Sequence, residues 1–196
     1  FSLFLEKLIK DGYEVEEYAK QLFPGGVELP EYGGEIETKT ALEGDKKYFF
    51  QPSFETERGL FARVDILEKN EDGTVHIYEV KSSTEVKRDK KHDHVKDACF
   101  QKYALEKMGY KVDGVSLIHL NKEYVREGDI DPIKLLKTVD ITDLVASVYD
   151  EVAGHIEAAL DLLKKDKIGE ITCDCREKTR SNHCDAFQYF NKDLPD

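Results

Sequence analysis

Two neighbouring stretches determine the fold that the sequence predicts, Leu60-Phe-Ala-Arg-Val-Asp-Ile-Leu67 and Thr74-Val-His-Ile-Tyr-Glu-Val-Lys-Ser82. Both are rich in β-branched and aromatic residues, and residues 68–73 between them are typical of a hairpin turn. Because alternate side chains of a strand share one face, we expect Glu79 and Lys81 to point the same way and Val80 the opposite way. These stretches therefore predict a strand pair with a charged face.

Outside this pair, the apolar spacing changes between helical and strand periods, as in an α/β protein. A helix is predicted over residues 1–23, with a break at Asp11-Gly12, and a short helix follows at 38–42. Three consecutive strands form a meander that a later strand joins, which predicts a central mixed sheet flanked by helices. The remaining predicted elements are strands at 48–54, 60–67 and 74–82, a helix at 87–108 capped by Gly109, a strand at 111–120, a polar loop at 121–131 and a long helix at 141–167.

Length and composition indicate a cytoplasmic protein with one domain at residues 1–170 and a cysteine-containing tail at 171–196. No apolar run is long enough to cross a membrane and no secretory signal opens the chain, so we expect no membrane association. The chain begins with Phe1 instead of Met, which suggests a fragment whose partner is the remainder of a longer polypeptide. The net charge of −12 argues against nucleic-acid binding, because Lys and Arg provide most phosphate contacts.

Asp65 is unusual in a predicted strand, because aspartate is depleted in strands and its neighbours here are apolar. Burying its carboxylate is costly unless a cation or hydrogen-bond donors compensate the charge. Two carboxylates, Asp65 and Glu79, with Lys81 beside them could hold a hard divalent cation that activates a water molecule. In the alternative interpretation, Asp65 faces solvent beside Arg63, and Glu79 and Lys81 form a surface salt bridge that contributes little.

Several motifs together resemble the PD-(D/E)XK nuclease superfamily and, within it, the RecB-like branch of CRISPR-associated and λ-exonuclease-type enzymes. The order of elements is similar: a helix, a strand with Asp65, a strand with Glu-x-Lys, and a helix with Gln101. The match covers most of the chain and is closest to an uncharacterised bacterial family of exonuclease-like proteins. The shared motifs are Gly-x-x-Val-Glu (12–16), Glu-Val-Lys-Ser-Ser-Thr (79–84), His-x-x-Asp-x-x-x-Gln (94–101) and Leu-Asn-Lys-x-Tyr-Val-Arg-x-Gly (120–128).

The resemblance implies a restriction-endonuclease-like core and an enzyme that hydrolyses DNA with Mg²⁺ or Mn²⁺. It implies a metal site of Glu16, Asp65, Glu79 and the backbone carbonyl of Val80. Lys81 would orient or deprotonate the attacking water or pair with the scissile phosphate, and Gln101 would position Lys81 or a nucleotide. From the sequence alone, Glu16 would be a solvated glutamate, since charged residues surround it on its helix.

A basic stretch forms the start of the predicted helix of Gln101. Its positive charge could steer the DNA backbone toward the site in spite of the acidic total. The DNA-binding residues that we predict there are Lys87, Arg88, Lys90, Lys91 and His94. A solvated helix surface is the alternative interpretation, and it applies to His94 in particular.

Four cysteines in a chain without a secretory signal do not indicate a disulfide framework. Many RecB-like nucleases carry an iron–sulfur cluster on four cysteines, but the Cys173-x-Cys175-x₈-Cys184 spacing departs from that pattern, and Phe190 stands where a final cysteine is expected. We therefore predict reduced tail cysteines and no complete iron–sulfur cluster, with a zinc site that includes His183 as the alternative. Cys99 is predicted to be a small core residue.

Two functions of different class remain open at this stage. The first is an active metal-dependent deoxyribonuclease, with exonuclease mode expected from the resemblance. The second is an inactive nuclease-fold module that binds nucleic acid or serves in assembly. The combination of Asp65, Glu79 and Lys81 favours the enzyme, while the acidic net charge favours the inactive module.

Overall fold

The computed structural model describes residues 3–30, 34–89, 92–165 and 186–192. Helices and strands alternate along much of this part of the chain, as an α/β protein requires. In chain order the elements are α1 (Leu3–Lys20), β1 (Val27–Glu28), α2 (Glu35–Glu43), β2 (Tyr48–Phe50), β3 (Ser53–Glu55), β4 (Phe61–Arg63), β5 (Ile66–Lys69), β6 (Val75–Lys81), α3 (His94–Lys107), β7 (Val112–Leu120), α4 (Pro132–Leu135), β8 (Leu136–Asp140), α5 (Thr142–Leu163) and α6 (Phe187–Phe190).

Six of the described strands form a mixed sheet in the order β1-β2-β5-β6-β7-β8. Neighbouring strands are parallel in the pairs β1/β2 and β6/β7 and antiparallel in the other three pairs. The predicted meander is confirmed as β2-β5-β6, and β7 is the predicted further strand that joins it. The prediction of a central mixed sheet flanked by helices is therefore confirmed.

Two predicted strands, at 48–54 and 60–67, are each divided in two. Pro52 has no backbone N–H, so the ladder of the six-stranded sheet is interrupted there. At the interruption, the backbone N–H of Gln51 donates to the Asp65 carbonyl at 3.0 Å. Beyond this point β3 and β4 pair in a separate two-stranded sheet. The division leaves Gln51 and Asp65 opposite each other between the two sheets.

Four other predictions of local structure need correction. The predicted break at Asp11-Gly12 is wrong: α1 is continuous, because a helical glycine costs only about 1 kcal/mol and the second half of α1 is anchored in the core. The predicted helix at 87–108 begins only at His94, where the Asp93 carboxylate caps it by accepting from the Lys96 N–H. Strand β8 was not predicted, and α5 ends at Leu163, before the predicted residue 167.

The two faces of the sheet are covered by different helices. Val15, Ala19 and Phe23, in α1 and just after it, pack against Phe50, Ile66, Ile118 and Leu136 on one face. Helix α3 contacts β6 and β7 as well as β3 and β4. Val80 packs with the core around α1, whereas Glu79 and Lys81 on either side of it in β6 contact Gln101 and Asp97 of α3. The helices α1 and α3 therefore lie on opposite faces of the sheet.

The chain divides into two units, Phe1–His155 and Ile156–Asp196. The first unit contains both sheets and all the residues of the candidate site described below. In the second unit, the described residues form the end of α5 and helix α6, where Asn191 Nδ2 donates to the Phe187 carbonyl at 2.9 Å. The predicted boundary between residues 170 and 171 lies outside the described residues. In the ranges that the structure describes, no helix has the length and apolar character needed to span a membrane.

Candidate active site

Glu79 and Lys81 stand at the end of β6, on the face that α3 covers. Gln101 of α3 donates from Nε2 to Glu79 Oε2 at 2.5 Å, and Lys81 Nζ lies 2.8 Å from Glu79 Oε1. Val80 packs on the other face with the core around α1. The predicted alternation of these three side chains is confirmed. Both oxygens of the buried Glu79 carboxylate have a donor.

Asp65 lies between β4 and β5, next to the end of β6. Its Oδ2 accepts from the backbone N–H of Val80 at 2.7 Å, and its Oδ1 is 3.3 Å from Gln51 Nε2. Burial raises the pKa of Asp65 well above its usual value, and the negative charges of Glu79 and Glu16 raise this pKa further. The Val80 N–H opposes this shift but does not cancel it. Asp65 is therefore a carboxylate whose charge the surrounding protein compensates incompletely.

Glu16 comes to the same place from α1. Its side chain is only 14 % exposed, so the prediction of a solvated glutamate from sequence alone is wrong. Its Oε1 accepts from Gln51 Nε2 at 2.5 Å and lies 3.3 Å from Lys20 Nζ, one turn along the helix. One amide nitrogen thus connects Glu16 to Asp65. Helix packing brings this third carboxylate into the group.

Lys81 lies between two carboxylates, Glu79 at 2.8 Å and Asp97 of α3 at 3.2 Å. Burial by itself would lower the pKa of Lys81, but the attraction of these carboxylates is stronger and raises the pKa above its usual value. The amine is therefore an ammonium at neutral pH. This charge state favours a role in orienting water or pairing with phosphate over a role as a base.

Gln101 is buried at the centre of α3, and its two amide atoms have different surroundings. The nitrogen donates to Glu79, whereas Oε1 is buried without a hydrogen-bond partner. A buried acceptor without a partner costs free energy, so such atoms are rare in proteins unless water, an ion or a ligand provides the partner. Gln101 therefore offers one unused acceptor beside Glu79.

The donor set fits a hard divalent cation in chemical type, since Glu16, Asp65 and Glu79 supply carboxylate oxygens. Three negative charges compensated mainly by Lys81 and Lys20 would also favour an additional cation. Within the described residues, however, no group of three His, Cys, Asp or Glu side chains is arranged to hold a metal ion. In this arrangement Gln51, Val80, Lys81 and Gln101 provide the donors that lie next to the carboxylate oxygens.

Comparisons with known proteins assign no family to this chain. No family model matches it, and no curated protein matches it. Four chains of solved structures match. One of them, the crystal structure of SSO0001, is 13 % identical, covers 84 % of this chain and 74 % of its own, and has a TM-score of 0.33. A likeness this weak supports no argument about fold or function.

The described residues Lys87 and Arg88 of the predicted basic stretch lie between β6 and α3, and His94 is the first residue of α3. Arg88 is exposed and Lys87 half-buried, while Lys90 and Lys91 lie outside the described residues. His94 is 6 % exposed, and its Nδ1 accepts from the backbone N–H of Lys87 at 3.1 Å. The structure therefore places His94 inside the base of the loop, where it stabilises the loop conformation.

Cys99 is fully buried, as predicted for a core residue. Its Sγ lies 3.9 Å from the Val145 carbonyl, and burial raises its pKa to about 11, so it remains a protonated thiol. The other residues considered for a metal or cluster lie outside the described residues, and the predictions for them stay predictions. They are Cys173, Cys175, His183 and Cys184.

Gln51 is the member of the site that sequence reasoning missed. The sequence places it in the interior of the predicted strand at 48–54, where its polar side chain indicates no role. The available signal was Pro52, which predicts a break in a central strand and marks the residue before it as irregular. Nothing local in the sequence indicates that the Gln51 amide reaches two carboxylates.

Proposed function

We propose that this protein is a metal-dependent nuclease that hydrolyses phosphodiester bonds of DNA. One observation carries the proposal: three carboxylates from three separate parts of the chain, Glu16, Asp65 and Glu79, converge beside Lys81 and Gln101. Gln51 Nε2 lies within 3.3 Å of both Glu16 Oε1 and Asp65 Oδ1, and the N–H of Val80, next to Glu79 in β6, donates to Asp65 Oδ2. An arrangement that only stabilised the fold would gain nothing from placing like charges together.

In this proposal Glu16, Asp65, Glu79 and the Val80 carbonyl hold Mg²⁺ or Mn²⁺. The bound cation would make water more acidic and stabilise negative charge on the reacting phosphate. The protein's own contribution is positioning. Gln101 holds one oxygen of Glu79, and the Val80 N–H holds one oxygen of Asp65.

Lys81 contributes a positive charge at the site. Because its pKa is raised, its ammonium can pair with a phosphate oxygen or orient a water molecule through its N–H groups. Asp97 holds the ammonium from the α3 side, and Glu79 holds it from β6. This double anchoring restricts a long flexible side chain to one position.

DNA would approach from the loop between β6 and α3, which begins directly after Lys81. The exposed Arg88 and the half-buried Lys87 supply positive charge on an otherwise acidic protein. Such local charge can direct a polyanion to one part of the surface. The DNA-binding role of this loop is part of the proposal.

Cleavage of linear single- and double-stranded DNA with Mn²⁺ tests the proposal. We expect activity in the wild type and a loss of at least about a hundredfold in Asp65→Asn, Glu79→Gln and Glu16→Gln, because each removes a charged ligand. Glu17→Gln is the matched control, since Glu17 is adjacent to Glu16 on α1 but 69 % exposed. Closed circular DNA distinguishes an exonuclease, which leaves it intact, from an endonuclease.

Calorimetric titration with Mn²⁺ completes the test. Binding that is lost in Asp65→Asn and kept in Glu17→Gln would support the metal site independently of cleavage. DNA binding without cleavage or Mn²⁺ binding would instead support the inactive nucleic-acid module. A protein with none of these activities would contradict the proposal.

A further inference from the structure

Gln51 has a backbone conformation that requires an explanation. Its φ of +57° lies in the left-handed region, and no other non-glycine residue of the described ranges has a positive φ. Side chains other than glycine adopt this conformation at a cost in free energy, so it persists only where other contacts compensate. In other proteins, strained residues of this kind concentrate at functional sites.

The side chain of Gln51 supplies those contacts. Its amide nitrogen lies 2.5 Å from Glu16 Oε1 and 3.3 Å from Asp65 Oδ1. Each amide hydrogen can therefore serve one carboxylate, and both carboxylates come from different parts of the chain. Two further donors near them are Lys20, whose Nζ is 3.3 Å from Glu16 Oε1, and the Val80 N–H, which donates to Asp65 Oδ2.

The two oxygens that face the Gln51 amide, Glu16 Oε1 and Asp65 Oδ1, belong to carboxylates that the proposed function assigns to a divalent cation. A hydrogen bond from the amide uses a lone pair that a cation could otherwise bind, so the amide and the cation compete for these carboxylates. We propose that Gln51 is a positioning residue whose amide holds Glu16 and Asp65 together in the metal-free protein and is displaced from them when the cation binds. This inference rests on the proposed function and deepens it.

Removing the amide should therefore lower the stability of the metal-free protein but raise its affinity for the cation. Without metal, Glu16 and Asp65 lose their shared donor and repel each other, so the melting temperature should fall. With metal, no hydrogen bond has to be broken, so the affinity should rise. We expect Gln51→Leu to bind Mn²⁺ about tenfold more tightly than the wild type, since a hydrogen bond to a charged acceptor typically has this effect on an equilibrium.

Isothermal titration calorimetry in mildly alkaline buffer measures the affinity, and thermal unfolding with and without Mn²⁺ measures the stability. Gln51→Gly is the second variant, because it also removes the amide but relieves the left-handed backbone. Tighter Mn²⁺ binding in both variants would assign the effect to the lost amide and exclude a change in backbone strain. Gln21→Leu is the matched control, since the Gln21 amide lies on the surface and donates to the Glu17 carbonyl.

The outcomes distinguish this inference from the proposed function. Tighter binding in Gln51→Leu and Gln51→Gly with unchanged binding in Gln21→Leu supports the inference. Binding in the wild type that becomes weaker or stays equal in both Gln51 variants overturns the inference alone and leaves the metal site standing. Absence of Mn²⁺ binding in every protein overturns the proposed function and this inference together.

Discussion

The ion pair between Lys81 and Glu79 allows a quantitative prediction. Their charged atoms are 2.8 Å apart, and the side chains are 26 % and 7 % exposed. At this separation the Coulomb attraction is about 6 kcal/mol for an effective dielectric constant of about 20. Desolvation of both groups offsets much of it, while removal of one partner leaves the other buried without compensation. We therefore expect Lys81→Met to lower the free energy of unfolding by about 3 kcal/mol.

A double-mutant cycle isolates the pair from other effects of the substitution. Glu79→Gln keeps an oxygen that can accept from Gln101 but removes the charge, so Lys81→Met should cost less in that background. We expect a coupling energy of about 2 kcal/mol. The matched control is the cycle of Lys96→Met and Glu151→Gln, whose charged atoms are 2.5 Å apart but whose side chains are 38 % and 50 % exposed. Its coupling should be close to experimental error, because solvent screens an exposed pair.

Urea denaturation at neutral pH and low salt, with a chelator present, measures all seven proteins, since the two cycles share the wild type. The comparison tests whether burial determines the strength of the pair, since the exposed pair has the shorter distance. A coupling energy for Lys81 and Glu79 no larger than that for Lys96 and Glu151 would refute the reasoning. It would mean that burial does not strengthen the pair of Lys81 and Glu79.

Two further predictions concern His94 and the glycines. Burial and the nearby charge of Lys81 lower the pKa of His94, so its stabilising effect is present above the usual value of 6.5 and is lost as the pH falls below it. The Lys87 amide, which donates to His94 Nδ1, should therefore be less protected from hydrogen exchange at acidic pH. This pH response should be lost in His94→Leu and kept in the control His155→Leu. Protection that does not depend on pH would contradict the prediction. Gly114→Ala should destabilise the protein by about 1–3 kcal/mol, because the new Cβ would lie within 3.0 Å of two His76 ring atoms. Gly154→Ala, with open space in α5, should stabilise it by about 0.5–1 kcal/mol, and equal melting temperatures for both variants would refute this assignment.

The sequence by itself determined the features that depend on local periodicity. Alternation along β6 placed Glu79 and Lys81 on one face and Val80 on the other, because this alternation is inherent in strand geometry. The end of α3 was predicted from Gly109, whose φ of +91° is the conformation that glycine adopts most easily. The meander followed from three closely spaced apolar runs.

Local patterns also misled where tertiary contacts competed with them. The predicted helix includes Lys87 and Arg88, but the two hydrogen bonds between Lys87 and His94 keep the described residues before His94 outside α3. The run at 60–67 looks like one strand, but the chain passes from one sheet to the other at Asp65. In both places backbone groups find partners outside the predicted element, such as the Lys87 carbonyl for the His94 N–H and the Asp65 carbonyl for the Gln51 N–H.

Only the tertiary structure decided which of the candidate residues come together and added Gln51 to them. Glu16 lies among other charged residues on α1, and apart from the Gly-x-x-Val-Glu motif nothing in the local sequence distinguishes it from Glu14 or Glu17. It becomes a site residue because Val15 and Ala19 dock α1 on the sheet, which turns Glu16 toward Gln51. Gln51 in turn reaches Asp65 because the chain bends at Pro52. Such convergence depends on contacts between residues far apart in sequence, and these contacts leave no local period along the chain.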